Sequence, residues 1–146
     1  MENDLNITIM TYKKIYFKDY ESSLIMYALD FIEKKVKSKL ESGCKDKEQK
    51  EFVLGKINDV MTKIRMGDVE FSSVEICLIE QAVSCVSKIT NNKAMLEERK
   101  KDPEKWEDFD YRVDNVLGRI NFTNSLYEAL EDIQKEHPEL EVSVGF

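Results

Sequence analysis

The side chains of this sequence whose spacing could do chemistry are acidic. Glu104, Glu107 and Asp110 recur every three residues, which on a helix puts three carboxylates near one face. Glu97 and Glu98 precede them, and Glu128, Glu131 and Asp132 follow. Carboxylates grouped on facing helices can hold Mg²⁺, with substrate phosphates completing its shell. Glu107, Asp110, Glu128 and Glu131 would be the ligands of such a site. The competing reading needs no metal: an acidic, solvated face suits the first turn of a helix on electrostatic grounds alone.

Glu107-Asp108-Phe109-Asp110 has the form ExxD, and Glu128-Ala129-Leu130-Glu131 has the form ExxE. The pair resembles the metal site of the all-α nucleotide pyrophosphohydrolases of the MazG type, which draws on ExxE from one helix and ExxD from another. The resemblance covers less than a quarter of the chain, in the reverse of that family's order. It implies Mg²⁺ as a cofactor and hydrolysis of a nucleotide pyrophosphate.

Other chemistries find little material. The single histidine, His137, stands beside Pro138 at the end of the last predicted helix, so no imidazole-based triad is assigned. Cys44, Cys77 and Cys85 with one histidine do not make a closed zinc spacing. They read instead as free, buried thiols in a reducing compartment. Neither GxGxxG nor GxxxxGK[ST] occurs, so the usual backbone cradles for phosphate are absent.

A formal charge of −7 and a pI near 4.9 weigh against direct nucleic-acid binding or an anionic membrane surface. Lys13-Lys14 and Lys34, Lys35, Lys37 and Lys39 read as surface lysines rather than a phosphate-binding strip. The opening MENDLNITIM lacks a basic n-region and a long apolar run, and the expected location is cytoplasmic.

The elements that must position these residues are helical. Apolar residues make up 42% of the chain and charged residues 35%, with five glycines and two prolines. That balance predicts one mainly α domain over 1–146. Leu24, Ile25, Ala28, Leu29, Ile32, Val36 and Leu40 line one face of a helix over 20–42. A second helix runs from about Lys47 through Val53, Leu54, Ile57, Val60, Met61 and Ile64 to Gly67. Ser72 and Glu75 form a capping box that opens a third helix, with an extension into AMLEERKK left open. Pro103 starts a fourth near Glu104, expected to pass Asn121 to Ser125 unbroken or bent even though Ser125 and Glu128 offer another capping box. Leu5 to Thr11 reads as a strand, paired with Val142 to Phe146 or Val69 to Phe71.

Two passages repeat. VLGKIN at 53–58 returns as VLGRIN at 116–121, and the segment from Phe17 matches that from Phe71 in Phe, Glu, Leu-Ile, Ala and Lys. Short extended pieces at Val69 to Ser72 and Leu140 to Ser143 follow each second helix. The expected architecture is therefore a four-helix arrangement of two duplicated αα-hairpins, about 17–71 and 72–143, related by a pseudo-twofold axis, with short terminal and linking β-segments. Gly55 and Gly118, mid-helix in both copies, suggest a close helix crossing near that axis.

The second copy carries an insert around KKDPEKWED. Trp106, Phe109 and Tyr111 follow its proline and are the candidate interaction residues. The function expected is a non-enzymatic adaptor, inhibitor or regulator that contacts another protein, with a homodimer through an exposed helix face as one form. One form is a phage or mobile-element inhibitor whose carboxylates stand where nucleic-acid phosphates would lie. The alternatives are the Mg²⁺-dependent nucleotide hydrolase above and an assembly component.

Overall fold

The computed structural model describes residues 12–43 and 45–140. Four long helices and one short helix carry most of them: α1 (Asp19–Glu41), α2 (Lys47–Arg65), α3 (Ser73–Thr90), α4 (Leu96–Lys101) and α5 (Pro103–Glu136). Two three-residue strands, β1 (Tyr12–Lys14) and β2 (Glu70–Ser72), pair antiparallel with Lys13 opposite Phe71. Among the described residues no helix is long and apolar enough to cross a membrane.

Helix boundaries follow local chemistry. Gly43 and Gly67 have φ near +78° and +72°, the left-handed conformation that ends α1 and α2 at little cost only for glycine. At the start of α3 the Ser72 side chain accepts from the N–H of Glu75, while the Ser72 N–H donates back to the Glu75 carboxylate. The open question after α3 resolves as a break. Asn91 closes that helix, Asn92 caps a 3₁₀ turn over Lys93–Met95, and α4 follows. Pro103 then takes the first turn of α5, where its missing N–H costs nothing, and Asp102 caps the N–H of Lys105.

The core lies where α1 and α3 pack on each other, with α2 and α5 against both. Its buried residues are the expected stripes: Leu24, Ile25, Ala28 and Leu29 of α1, Ile57, Val60 and Met61 of α2, Ile76, Ile79, Ala82, Val83 and Val86 of α3, and Val113, Val116 and Ile120 of α5. Each of these Val, Leu, Ile and Met side chains contributes roughly 1.5–3 kcal/mol by leaving water. Val36 and Leu40 are only half-buried, so the core is densest at the sheet end of α1. There Ile15 and Phe71 close it, and the ring of Phe17 meets Phe71 edge-on at 6.0 Å.

Helix α5 passes Asn121 to Ser125 without interruption, and the alternative capping box at Ser125 is unused. Thr123 and Tyr127 extend its buried stripe, which an apolar-only reading of the sequence does not register. The Tyr127 hydroxyl accepts from the N–H of Lys14 at 2.8 Å, and Lys13 Nζ donates to Asn124 Oδ1 at 2.9 Å, tying β1 to this half of α5.

The strand expected over Leu5 to Thr11 and its expected partner Val142 to Phe146 lie outside the described residues; next to them Tyr12–Lys14 pairs with β2. Two expectations are corrected. Cys77 is exposed and Cys85 half-buried, because the buried stripe of α3 passes through Ile76, Ile79, Ala82, Val83 and Val86 instead, while Cys44 lies outside the described residues. Gly55 and Gly118 lie on exposed helix faces, and a Cβ added to either would meet nothing within 4 Å, so among the described residues they mark no tight helix crossing.

Gly55 therefore only weakens α2. Gly55→Ala is expected to stabilise the protein by about 0.5–1 kcal/mol, read as a higher melting temperature with an unchanged circular dichroism spectrum.

Candidate functional site

Helix α5 carries every residue that sequence reasoning proposed for a site, and its continuity decides their fate. At a rise of about 1.5 Å per residue, Asp110 and Glu128 lie roughly 27 Å apart along one helix. Glu107, Asp110, Glu128 and Glu131 therefore cannot surround one Mg²⁺, and the ExxD and ExxE segments do not form the facing pair that the resemblance required. Asp110 is instead held by Arg99, and Glu131 by Lys135, 3.5 Å away. Among the described residues no group of three or more His, Cys, Asp or Glu side chains could hold a metal ion.

The three aromatics of the insert part company. Arg99 on α4 donates from both terminal nitrogens to Asp110 at 2.9 and 3.1 Å and from Nε to the carbonyl of Thr90. Its guanidinium lies 4.8 Å from the centre of the Trp106 ring, which in turn meets Phe109 edge-on at 5.5 Å. Trp106 thus covers a clasp that joins the end of α3, α4 and the start of α5. Phe109 packs against the core, and Tyr111 is 62% exposed.

Tyr111 belongs to a surface that the sequence did not single out. Tyr111, Asn115, Gly118, Phe122, Ser125 and Ala129 alternate in steps of four and three along the side of α5 opposite its buried stripe. Phe122 is 69% exposed. A hollow of about 300 Å³, lined by Asp114, Asn115, Gly118, Arg119 and Phe122, opens on this side. The signal available was the spacing itself, masked by a second, stronger apolar stripe on the same helix.

The burial of two carboxylates, Glu21 and the capping-box Glu75, was not read from the sequence. Glu21 is fully buried, and its carboxylate accepts from the N–H of Lys18 at 2.8 Å and from Arg119 Nε at 3.0 and 3.1 Å. Glu75, 3% exposed, accepts from Lys63 Nζ at 2.8 Å as well as from Ser72. Lys63 also donates to the Glu70 carbonyl and stands over the rings of Tyr12 and Phe71. Their signal was the glutamate shared by the two matched segments. Both carboxylates are engaged by fixed donors, which suits them to holding helices together rather than to proton transfer.

The geometry sets an asymmetry. Arg119 is partly exposed and can return to water if its partner is lost, whereas Glu21 cannot. Arg119→Leu should cost about 3 kcal/mol or more, and Glu21→Gln about 1–2 kcal/mol, measured by urea unfolding. Burial pushes the Glu75 carboxyl up, yet hydrogen bonds from Lys63 and the Ser72 N–H outweigh it and leave its pKa below the usual 4.5. A lowered folded-state pKa means that this contribution is complete above 4.5 and is lost as pH falls through the folded value. Acid titration of stability should show that loss, and Glu75→Gln should flatten it.

Compared with protein-family models, with curated proteins and with solved structures, the chain matches none.

Proposed function

We propose that this protein works by contact rather than catalysis, as a helical adaptor, inhibitor or regulator that presents the outer face of α5 to another protein. The observation that carries the reading is the presence on one face of α5 of two well-exposed aromatics, Tyr111 and Phe122, with Phe122 lining the hollow over Gly118. Large exposed aromatics beside a concavity are the features that dominate binding energy at interfaces, because a ring that fills a hollow sheds water from both surfaces. The Arg99 clasp and the Val113, Val116 and Ile120 stripe hold α5 rigidly, so little order need be gained on binding.

The duplication belongs to the same reading, as the way this scaffold arose. It is supported by the central packing of α1 on α3, by contact between the matched residues Phe17 and Phe71, and by the matched glutamates. Glu21 in the first half reaches Arg119 in the second; Glu75 in the second reaches Lys63 in the first. The relation is not strict, since the match of Arg119 is Lys56, two helical turns before Lys63.

Photocrosslinking tests the surface. Benzoylphenylalanine placed at Tyr111 or Phe122, in cells that make the protein, should give a discrete protein adduct. The same probe at Tyr27, an equally exposed ring on α1, should not. Equal labelling from all three positions, or none from α5, would sink the proposal.

A further inference from the structure

We infer that the outer face of α5 docks a second copy of this chain, as a parallel helix pair about a two-fold axis through the Tyr111, Asn115, Gly118 and Phe122 seam. The inference rests on the reading of that face as a contact surface and names its partner.

The seam follows seven-residue steps, with Tyr111, Phe122 and Ala129 as its apolar members and Asn115, Gly118 and Ser125 between them. Tyr111, Gly118 and Ser125 take one seam position, and Asn115, Phe122 and Ala129 take the other. Glu107 and Asp114 flank it on one side, Arg112 and Arg119 on the other. In a parallel pair, a flanking residue meets the opposite flank of its neighbour five residues further on. Glu107 then faces Arg112 of the second copy, and Asp114 faces Arg119. Neither Glu107 nor Asp114 has an ion-pair partner among the described residues, while Arg112 and Arg119 are each partly exposed beside their internal partners.

An antiparallel pair brings like flanks together. The flank of Glu107 and Asp114, which continues through Asn121, Glu128 and Lys135, would then meet its own kind, and in no register would Glu107 or Asp114 reach Arg112 or Arg119 of the second copy. Charge therefore selects the parallel arrangement.

Size and polarity agree with it. Each Phe122 ring would meet the small residues Gly118 and Ser125 of the second copy, and the hollow beside Gly118 gives it room. An asparagine at one seam position favours a two-stranded parallel pair, because the two side chains hydrogen-bond when they lie at the same level. Asn115 Nδ2 donates to Tyr20 Oη at 3.1 Å, and its Oδ1 has no partner among the described residues, which leaves it free to accept.

Sedimentation equilibrium of the full chain tests this. The wild-type protein should show twice 17.1 kDa at micromolar concentration. Phe122→Asp, and separately Glu107→Arg with Asp114→Arg, should raise the dissociation constant at least about tenfold. Circular dichroism should remain that of the wild type. A wild-type monomer at about 100 μM, or a dimer indifferent to both variants, would overturn the inference. Register is read by Ser125→Cys in a chain with Cys44→Ser, Cys77→Ser and Cys85→Ala. Oxidation should link the two chains if they are parallel, and a folded dimer that fails to link overturns the parallel arrangement. A monomer whose Tyr111 and Phe122 probes capture a different protein leaves the contact surface standing and removes the second copy. A monomer with no adduct removes both.

Discussion

A carboxylate without exposed surface must be neutralised where it stands, and Glu21 imposes that requirement on the whole molecule. Its donors come from opposite ends of the sequence: the N–H of Lys18 at the start of α1 and the guanidinium of Arg119 midway along α5. The pair fixes the level at which the first and last helices cross, because only one placement gives the buried charge its partners. Replacing both residues with apolar ones could pack equally well, so the bond contributes geometry more than net stability. The Glu75 pair repeats the device at the start of α3, where Lys63 also closes the edge of the two-stranded sheet.

With those helix starts fixed, the rest of the architecture follows from length. Helix α5 spans 34 residues, about 51 Å, longer than any helix it packs against. Its inner stripe serves the core and leaves the opposite stripe uncovered. The insert before α5 becomes a brace: Arg99 grips Asp110 and the end of α3 while Trp106 lies over the guanidinium. Trp106 and Phe109, two of the expected interaction residues, thus also brace the helix whose far side is exposed. Tyr111 is the one that reaches that side.

The same length separates chemistry that the sequence brought together on paper. ExxD and ExxE describe sequence neighbours on a helix, and each spacing holds locally. Whether two such groups share a cation depends on whether the chain turns back between them. Here Thr123 and Tyr127 carry the buried stripe across the place where a turn was conceivable, and the groups remain roughly 27 Å apart. Gly118 teaches the complementary lesson. A glycine kept in mid-helix suggests close approach, but no described residue comes within 4 Å of where its Cβ would stand.

The sequence by itself determined the helical class, the positions of the long helices, the stop at Gly43 and Gly67, the cap at Ser72 and most of the core. Those features depend on three-and-four spacing, on left-handed glycine and on capping chemistry, all of which act within a few residues. It also held the matched glutamates, without indicating that they were buried. The tertiary structure alone decided which basic residue each glutamate meets, that α5 runs unbroken, and that one of its two stripes stays outside. These outcomes depend on contacts between different elements, from Lys63 with Glu75 to Glu21 with Arg119 at the two ends of the chain, where packing volume and the cost of burying charge select one arrangement from several that satisfy the local rules equally well.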